Sequence, residues 1–216
     1  MDLSNSTHDF EADDIQNLIH LLEYTKDPTI QEQVLITLSN SAAFSVNQDT
    51  IRNLGGLSVV GKMLSVPVTN IKEKALNALN NLSMNIKNQE VVKVKKVFGY
   101  SVSAYSEVQV LKLLVNLSAN PAMTEHLLNA QAPFLLSLCD SCTNKDVLLR
   151  VLVFITNLTK HMKKDKSTVH SEYNEDSVFS VLWGNSTLCA QKLASLLHHN
   201  DTEVREQVAE LIMQQC

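Results

Sequence analysis

One stretch of helical pattern, Ile71–Ser83, recurs in altered form along the whole chain. Ile71, Ala75, Leu79, Leu82 and Ile86 recur at three- and four-residue steps. They therefore line one face of a helix with roughly 3.6 residues per turn. The segments Glu32–Asn40, Glu73–Asn81, Gln109–Ser118 and Arg150–Thr159 align on the same pattern. Each carries a marker asparagine. Asn40, Asn81, Asn116 and Asn157 stand 41, 35 and 41 residues apart. A period near 40 with only helical patterns inside predicts a stack of helical repeats, each burying its apolar face on its neighbours.

Composition agrees. Five glycines and four prolines in 216 residues are too few for the many tight turns of a sandwich or barrel. Hydrophobic content of 44% and charged content of 19% suit a folded soluble chain. The net charge of −5 argues against general nucleic-acid binding, which needs a phosphate-neutralising surface. Cys139, Cys142, Cys189 and Cys216, with no secretory signal read at Met1–Asn5, point to a reduced, intracellular protein. Nowhere do the roughly 18 consecutive apolar residues of a membrane span occur.

Taken in order, residues 1–11 are polar and read as a flexible lead-in to a repeat domain over 12–216. Carboxylates at Asp13 and Asp14 open a helix with Ile15, Leu18, Ile19 and Leu22 on its apolar face. Asp27-Pro28 opens the next, through about Ala43. A short helix over Asn47–Leu54 ends at Gly55-Gly56, and Leu57–Leu64 follows, stopped by Pro67. One unit is thus a short helix, a glycine turn and two longer helices, the armadillo arrangement. Asn88-Gln89 repeats Asn47-Gln48 at an offset of 41. The pattern breaks near 93–106, where a valine-rich stretch reads as helix or irregular connection. It resumes at Glu107, with short elements over Pro121–Leu128 and Phe134–Leu138. A charged, exposed loop is predicted near 160–176. Closing helices follow over Val178–Trp183, Cys189–His199 and Thr202–Gln214, the last with a polar outer face. The expected fold is all-α, an armadillo-like right-handed α-superhelix of about four to five repeats.

Four segments carry a closer likeness: Asp27–Ile30, Ala42–Gln48, Ile71–Ser83 and Val108–Glu125. Through them the chain resembles the armadillo-repeat-containing X-linked (Alex) family, its close autosomal relative and the related G-protein-coupled-receptor-associated sorting proteins. The resemblance implies a non-enzymatic adaptor without cofactors. It implies a setting at the mitochondrial outer membrane facing the cytosol, with a nuclear pool. The implied partners are Miro GTPases and Trak kinesin adaptors in mitochondrial transport, and, as a rival role, a Sox-type nuclear transcription factor. The sequence departs from the family in two places. The Alex membrane-anchoring segment is not read at its start. Between Val94 and Val108 about a dozen dissimilar residues stand where the family carries roughly another repeat.

The candidate site is the stripe beside each apolar face. At about 100° per residue, Asn81 lies roughly 120° from the centre of that face, and Lys74 and Asn77 share its stripe. The equivalents are Gln33 and Asn40, then Gln109, Lys112 and Asn116, then Arg150 and Asn157. In armadillo domains such helices line the inner groove, where an amide offers both donor and acceptor to an extended peptide. Two roles stay open: peptide contact, or hydrogen bonds to neighbouring helices that fix the stacking. The importin pattern places a tryptophan four residues before each asparagine. Here Ile36, Asn77, Lys112 and Val153 stand there, so reading of nuclear localisation signals is not expected.

Cys139-Asp140-Ser141-Cys142 is a lone C-x-x-C, lacking the second pair of a zinc site. A zinc or redox role would need remote ligands such as Cys189, His198 or His199, and ordinary structural cysteines are the simpler expectation. Asn5, Asn81, Asn116, Asn157 and Asn185 match the glycosylation sequon without a secretory context. No P-loop, dinucleotide, zincin or nucleophile-elbow motif occurs. The expected function is a protein-interaction scaffold holding an extended peptide or helix.

Overall fold

The computed structural model describes residues 11–92, 104–140, 143–164, 173–184 and 186–215. The described elements are helical, apart from an isolated antiparallel bridge between Gln131 and Ser177. The chain divides into two compact units, Met1–Lys93 and Val94–Cys216. The break falls inside the valine-rich stretch, of which residues 93–103 lie outside the described set.

In the first unit, α1 (Ala12–Tyr24) carries Asp13 and Asp14 in its first turn and buries Ile15, Ile19 and Leu22. Carboxylates there offset the positive end of the helix dipole. Asp27 caps α2 (Pro28–Ser41): its Oδ1 accepts from the Thr29 N–H at 2.8 Å, and Pro28 fills the first position, where no donor is wanted. A turn at Ala43–Phe44 leads into α3 (Ser45–Asn53). Gly55 then reverses the chain at φ 73°, in the left-handed region a glycine tolerates. The chain enters α4 (Gly56–Met63), then α5 (Thr69–Leu82) and the short α6 (Ile86–Gln89).

The centre of this unit is the packing of α2 against α5, with α1 and α4 behind them. Leu35 and Leu38 on α2 are fully enclosed, and on α5 Ile71, Ala75, Leu79 and Leu82 are buried, the face the periodicity predicts. Ile86 departs from it. The backbone leaves α5 at Leu82, so Ile86 opens α6 instead and is 64% exposed.

The second unit repeats the theme with longer helices. Its described elements are α7 (Ala104–Ser118), a 3₁₀ turn Pro121–Met123, α8 (Thr124–Leu128) and a 3₁₀ turn Leu135–Cys139. Then come α9 (Lys145–Lys164), a π-helical turn Ser180–Gly184, α10 (Ser186–Leu196) and α11 (Thr202–Gln215). Helix α9 is central, packed on α7 along one side and α11 along another. Phe154 on α9 is fully buried, with Leu113, Leu114, Val208 and Leu211 buried on the flanking helices. The bridge at Gln131 pairs the Ala132 N–H with Asp176 O at 2.9 Å and the Val178 N–H with Ala130 O at 2.8 Å.

Helix α9 continues through Lys164, into the first part of the predicted 160–176 loop. Residues 165–172 lie outside the described set. Glu175 and Asp176 beyond them are exposed. The long helices α2, α5, α7 and α9 hold the stripe singled out in the sequence.

Candidate functional site

Hydrogen bonds decide what each asparagine of the ladder can do. In the first unit Asn81 lies near the C-terminus of α5, half-buried. Its Nδ2 donates to the Ser39 carbonyl on α2 at 2.8 Å and lies 3.3 Å from Ser39 Oγ. In the second unit Asn157 Nδ2 on α9 donates to Ser118 Oγ at the end of α7, 3.0 Å away. Both amides thus join one repeat's final helix to the final helix before it. Of the two roles open in the sequence, these two residues make hydrogen bonds of the stacking kind.

Two further members of the stripe also turn inward. Gln109, on α7, is buried at 6% exposure. Arg150 folds back on its own helix: Nη1 donates to the Asp146 carbonyl at 2.6 Å and lies 3.6 Å from the Asp146 carboxylate. The i, i+4 spacing makes that return contact local. In the first unit Gln33 and Asn40 are exposed, and Lys74 and Asn77 are half-buried on the packed neighbour α5. In the second unit Lys112 and Asn116 are half-buried on α7.

A second polar system carries the stacking, and it sits on the repeated Asn-Gln pair. Asn47 Nδ2 donates to the Ser41 carbonyl at 3.1 Å, and Gln48 Nε2 to the Ala42 carbonyl at 2.8 Å. One repeat later Asn88 Nδ2 donates to Leu82 O at 3.0 Å, and Gln89 Nε2 to Ser83 O at 2.7 Å. Each pair satisfies carbonyls left open where the preceding long helix ends. The pairs also reach across repeats. Gln48 Nε2 lies 3.1 Å from Asn81 O, and Asn88 Nδ2 lies 3.3 Å from Gln48 O. Arg52 closes the system by donating to Asp49 at 2.6 Å and to Asn88 Oδ1 at 2.9 Å, while Asn85 donates to Asp49 at 3.0 Å. Hydrogen bonds from Arg52 and Asn85 hold the Asp49 carboxyl below its ordinary value. The signal for this system was the 41-residue recurrence of Asn-Gln. Its role needed the geometry.

The C-x-x-C does not form a reactive centre at its described end. Cys139 is buried, and burial pushes its thiol up to about 12, with Cys189 nearby adding to the rise. Burial raises Cys189 as well. A thiol held protonated is a poor nucleophile, since the thiolate is the attacking form. Cys142 lies outside the described residues. His199 is engaged locally, its Nδ1 accepting from the Asp201 N–H at 3.1 Å. Among the described residues no group of three His, Cys, Asp or Glu side chains is placed to hold a metal ion. No described helix is long and apolar enough to cross a membrane.

A cavity lies beside the basic run that ends α9. It occupies about 400 Å³ and is lined by Lys160, His161 and Lys163 on the last turn of α9 and by Gln214 on α11.

The family model described as armadillo-like matches residues 10–104 and 100–183, well over half of the chain. Among solved structures, a computationally designed armadillo repeat protein for modular peptide recognition is 17% identical, with a TM-score of 0.73 over 93% of this chain and 81% of that one. A designed armadillo repeat protein in complex with the peptide (KR)4 is 16% identical, with a TM-score of 0.65 over 93% and 98%. An engineered protein from a structural genomics programme is 16% identical, with a TM-score of 0.67 over 93% and 96%. With its helices ordered in repeats as above, the chain belongs to the armadillo-like repeat family.

Proposed function

We propose that the chain is a non-enzymatic scaffold that holds an extended peptide or a helix of a partner protein against its repeat-terminal helices. One observation carries this reading. An amide- and lysine-bearing strip keeps solvent access on each unit: Gln33 and Asn40 are exposed and Lys74 and Asn77 half-exposed in the first, and Lys112 and Asn116 are half-exposed in the second. Amides and ammonium groups there can meet the carbonyls and N–H groups of an extended chain. The designed structural neighbours made for peptide recognition, one of them holding a peptide, support the same use of the fold.

The finer reading follows the Alex resemblance. The scaffold acts at the cytosolic side of the mitochondrial outer membrane, and Miro GTPases or Trak adaptors supply the bound segment. Immobilised wild-type protein is tested against purified Miro and Trak fragments, alongside the double variant Lys112→Glu, Asn116→Ala. The expected outcome is binding to wild type, at least tenfold weaker binding to the variant, and an unchanged far-ultraviolet circular dichroism spectrum. Equal affinities would remove the strip as the site. Failure of every Miro and Trak fragment to bind would remove the mitochondrial reading.

A further inference from the structure

The cavity at the ends of α9 and α11 holds an unusual set of unfinished polar contacts. His161 Nε2 lies 3.1 Å from the Ser118 carbonyl oxygen. A carbonyl only accepts, so Nε2 carries the hydrogen. His161 Nδ1, also buried, has no partner. The side-chain amide of Gln214 is oriented by its own bond, since Nε2 donates to Glu210 Oε1 at 3.0 Å. That leaves Gln214 Oε1 as a buried acceptor without a donor. Buried polar groups are nearly always paired, and an orphan marks a missing partner. Two ammonium groups border the same space. Lys160 shares Glu210 at 3.2 Å, and the exposed Lys163 makes no ion pair among the described residues. Among the described residues bordering the space, the one carboxylate of Glu210 is therefore set against two ammonium groups.

We infer that this cavity is an acidic-residue subsite: it takes an aspartate or glutamate of a bound peptide, its carboxylate on Lys163 and Lys160 and its backbone N–H on Gln214 Oε1. The two needs are complementary. Lys163 offers an exposed ammonium beside the Lys160–Glu210 pair, and the Gln214 oxygen lacks a donor, which a free carboxylate cannot supply and a peptide can. The space lies within the usual range for a site holding a small group. Lysine binds as a movable point charge, which suits a carboxylate on a flexible side chain. The preferred partner is thus acidic, opposite in charge to the (KR)4 peptide on the designed neighbour. This inference rests on the scaffold reading and names the partner's chemistry.

The test is fluorescence anisotropy with two fluorescein-labelled, C-terminally amidated peptides. They alternate alanine with glutamate in one and with glutamine in the other, and both are titrated with the full chain. The glutamate peptide is expected to bind at least tenfold tighter. Lys163→Glu should abolish that preference without changing the melting temperature, because Lys163 is exposed and makes no ion pair among the described residues. Gln214→Met should weaken the glutamate peptide several-fold. Glutarate, a dicarboxylate with no backbone donor, should compete at least tenfold less well per carboxylate than the peptide. Equal binding of the two peptides, or an undiminished preference in Lys163→Glu, overturns the inference. So does glutarate matching the peptide. If the Lys112 and Asn116 variant loses its partner while the glutamate preference is absent, this subsite alone fails. If the preference is present while that variant binds normally, the strip fails and the subsite stands.

Discussion

At the scale of single residues, the same side chain at the same repeat position does different work, according to what lies before it. Asn81 and Asn40 are equivalent in the repeat. Asn81 has α2 alongside and spends its amide on Ser39, whereas Asn40 is exposed. A net intramolecular hydrogen bond contributes about 1 kcal/mol. Asn81→Ala should therefore lower the stability measured by urea unfolding by about that amount, and Asn40→Ala should stay within about 0.5 kcal/mol of wild type. The enclosed Asn88 should cost more. It meets Leu82 O, Gln48 O and Arg52 at once and is fully buried. Asn88→Ala leaves acceptors and a guanidinium short of partners, an expected loss of about 2–3 kcal/mol. A urea midpoint for Asn88→Ala equal to that of Asn40→Ala would refute the stacking role. Periodicity made this ladder visible in the sequence. It could not show that Asn81 and Asn157 face a neighbour while Asn40 faces solvent, because a helical wheel records direction about one axis and nothing about the adjacent helix. The unfinished pair at His161 and Gln214 was out of reach for the same reason, since 53 residues separate them in the chain.

At the scale of elements, the amphipathic helices were legible because one buried face repeats every three to four residues over many turns. Helices α2, α5 and α11 begin and end close to where caps and apolar spacing place them. Short elements were less so. Leu135–Cys139 is a 3₁₀ turn, too short for periodicity to distinguish from one turn of α-helix. The span of α9 through Lys164 was hidden because its last turn is mostly basic, with Met162 its one apolar residue, and such a charged stretch reads as loop. Helix α4 offers a test of how tightly the elements close. A Cβ on Gly56 would meet Ile51 Cγ2 at 2.7 Å and Ile19 Cδ1 at 2.8 Å, side chains on α3 and α1. A Cβ on Gly61, inside the same helix, would meet nothing within 4 Å. Gly56→Ala should destabilise by about 1–3 kcal/mol through overpacking. Gly61→Ala should stabilise by about 0.5–1 kcal/mol, because alanine loses less backbone entropy in a helix. Thermal unfolding of the two variants should therefore move in opposite directions, and a shared direction would contradict the packing of α1, α3 and α4.

At the scale of the molecule, an array of repeats is held by nearest-neighbour terms, so its pH dependence resides in the charged links between repeats. In the second unit Lys145, at the start of α9, lies 2.7 Å from Asp201 and 3.0 Å from Glu203 at the start of α11. Its bond to Asp201, then that to Glu203, raises the lysine above its ordinary 10.5. The bond to Lys145 lowers Asp201 below its ordinary 3.8. Both shifts carry a definite sign. The Asp201 contribution is present above the unfolded value and is lost as pH falls through the lower folded one. The Lys145 contribution is present below the unfolded value and is lost as pH rises through the higher folded one. The link therefore acts undiminished between about pH 5 and pH 9 and fades at both extremes. Lys145→Met removes it. The difference in urea midpoint between wild type and Lys145→Met should be flat across that window. It should shrink below about pH 4 and again above about pH 10.5. These side chains are largely solvated, so 1 M salt should flatten the whole profile by screening the pair. A difference that persists at pH 2.5 would mean that the lysine stem, through packing, carries the effect instead of its charge.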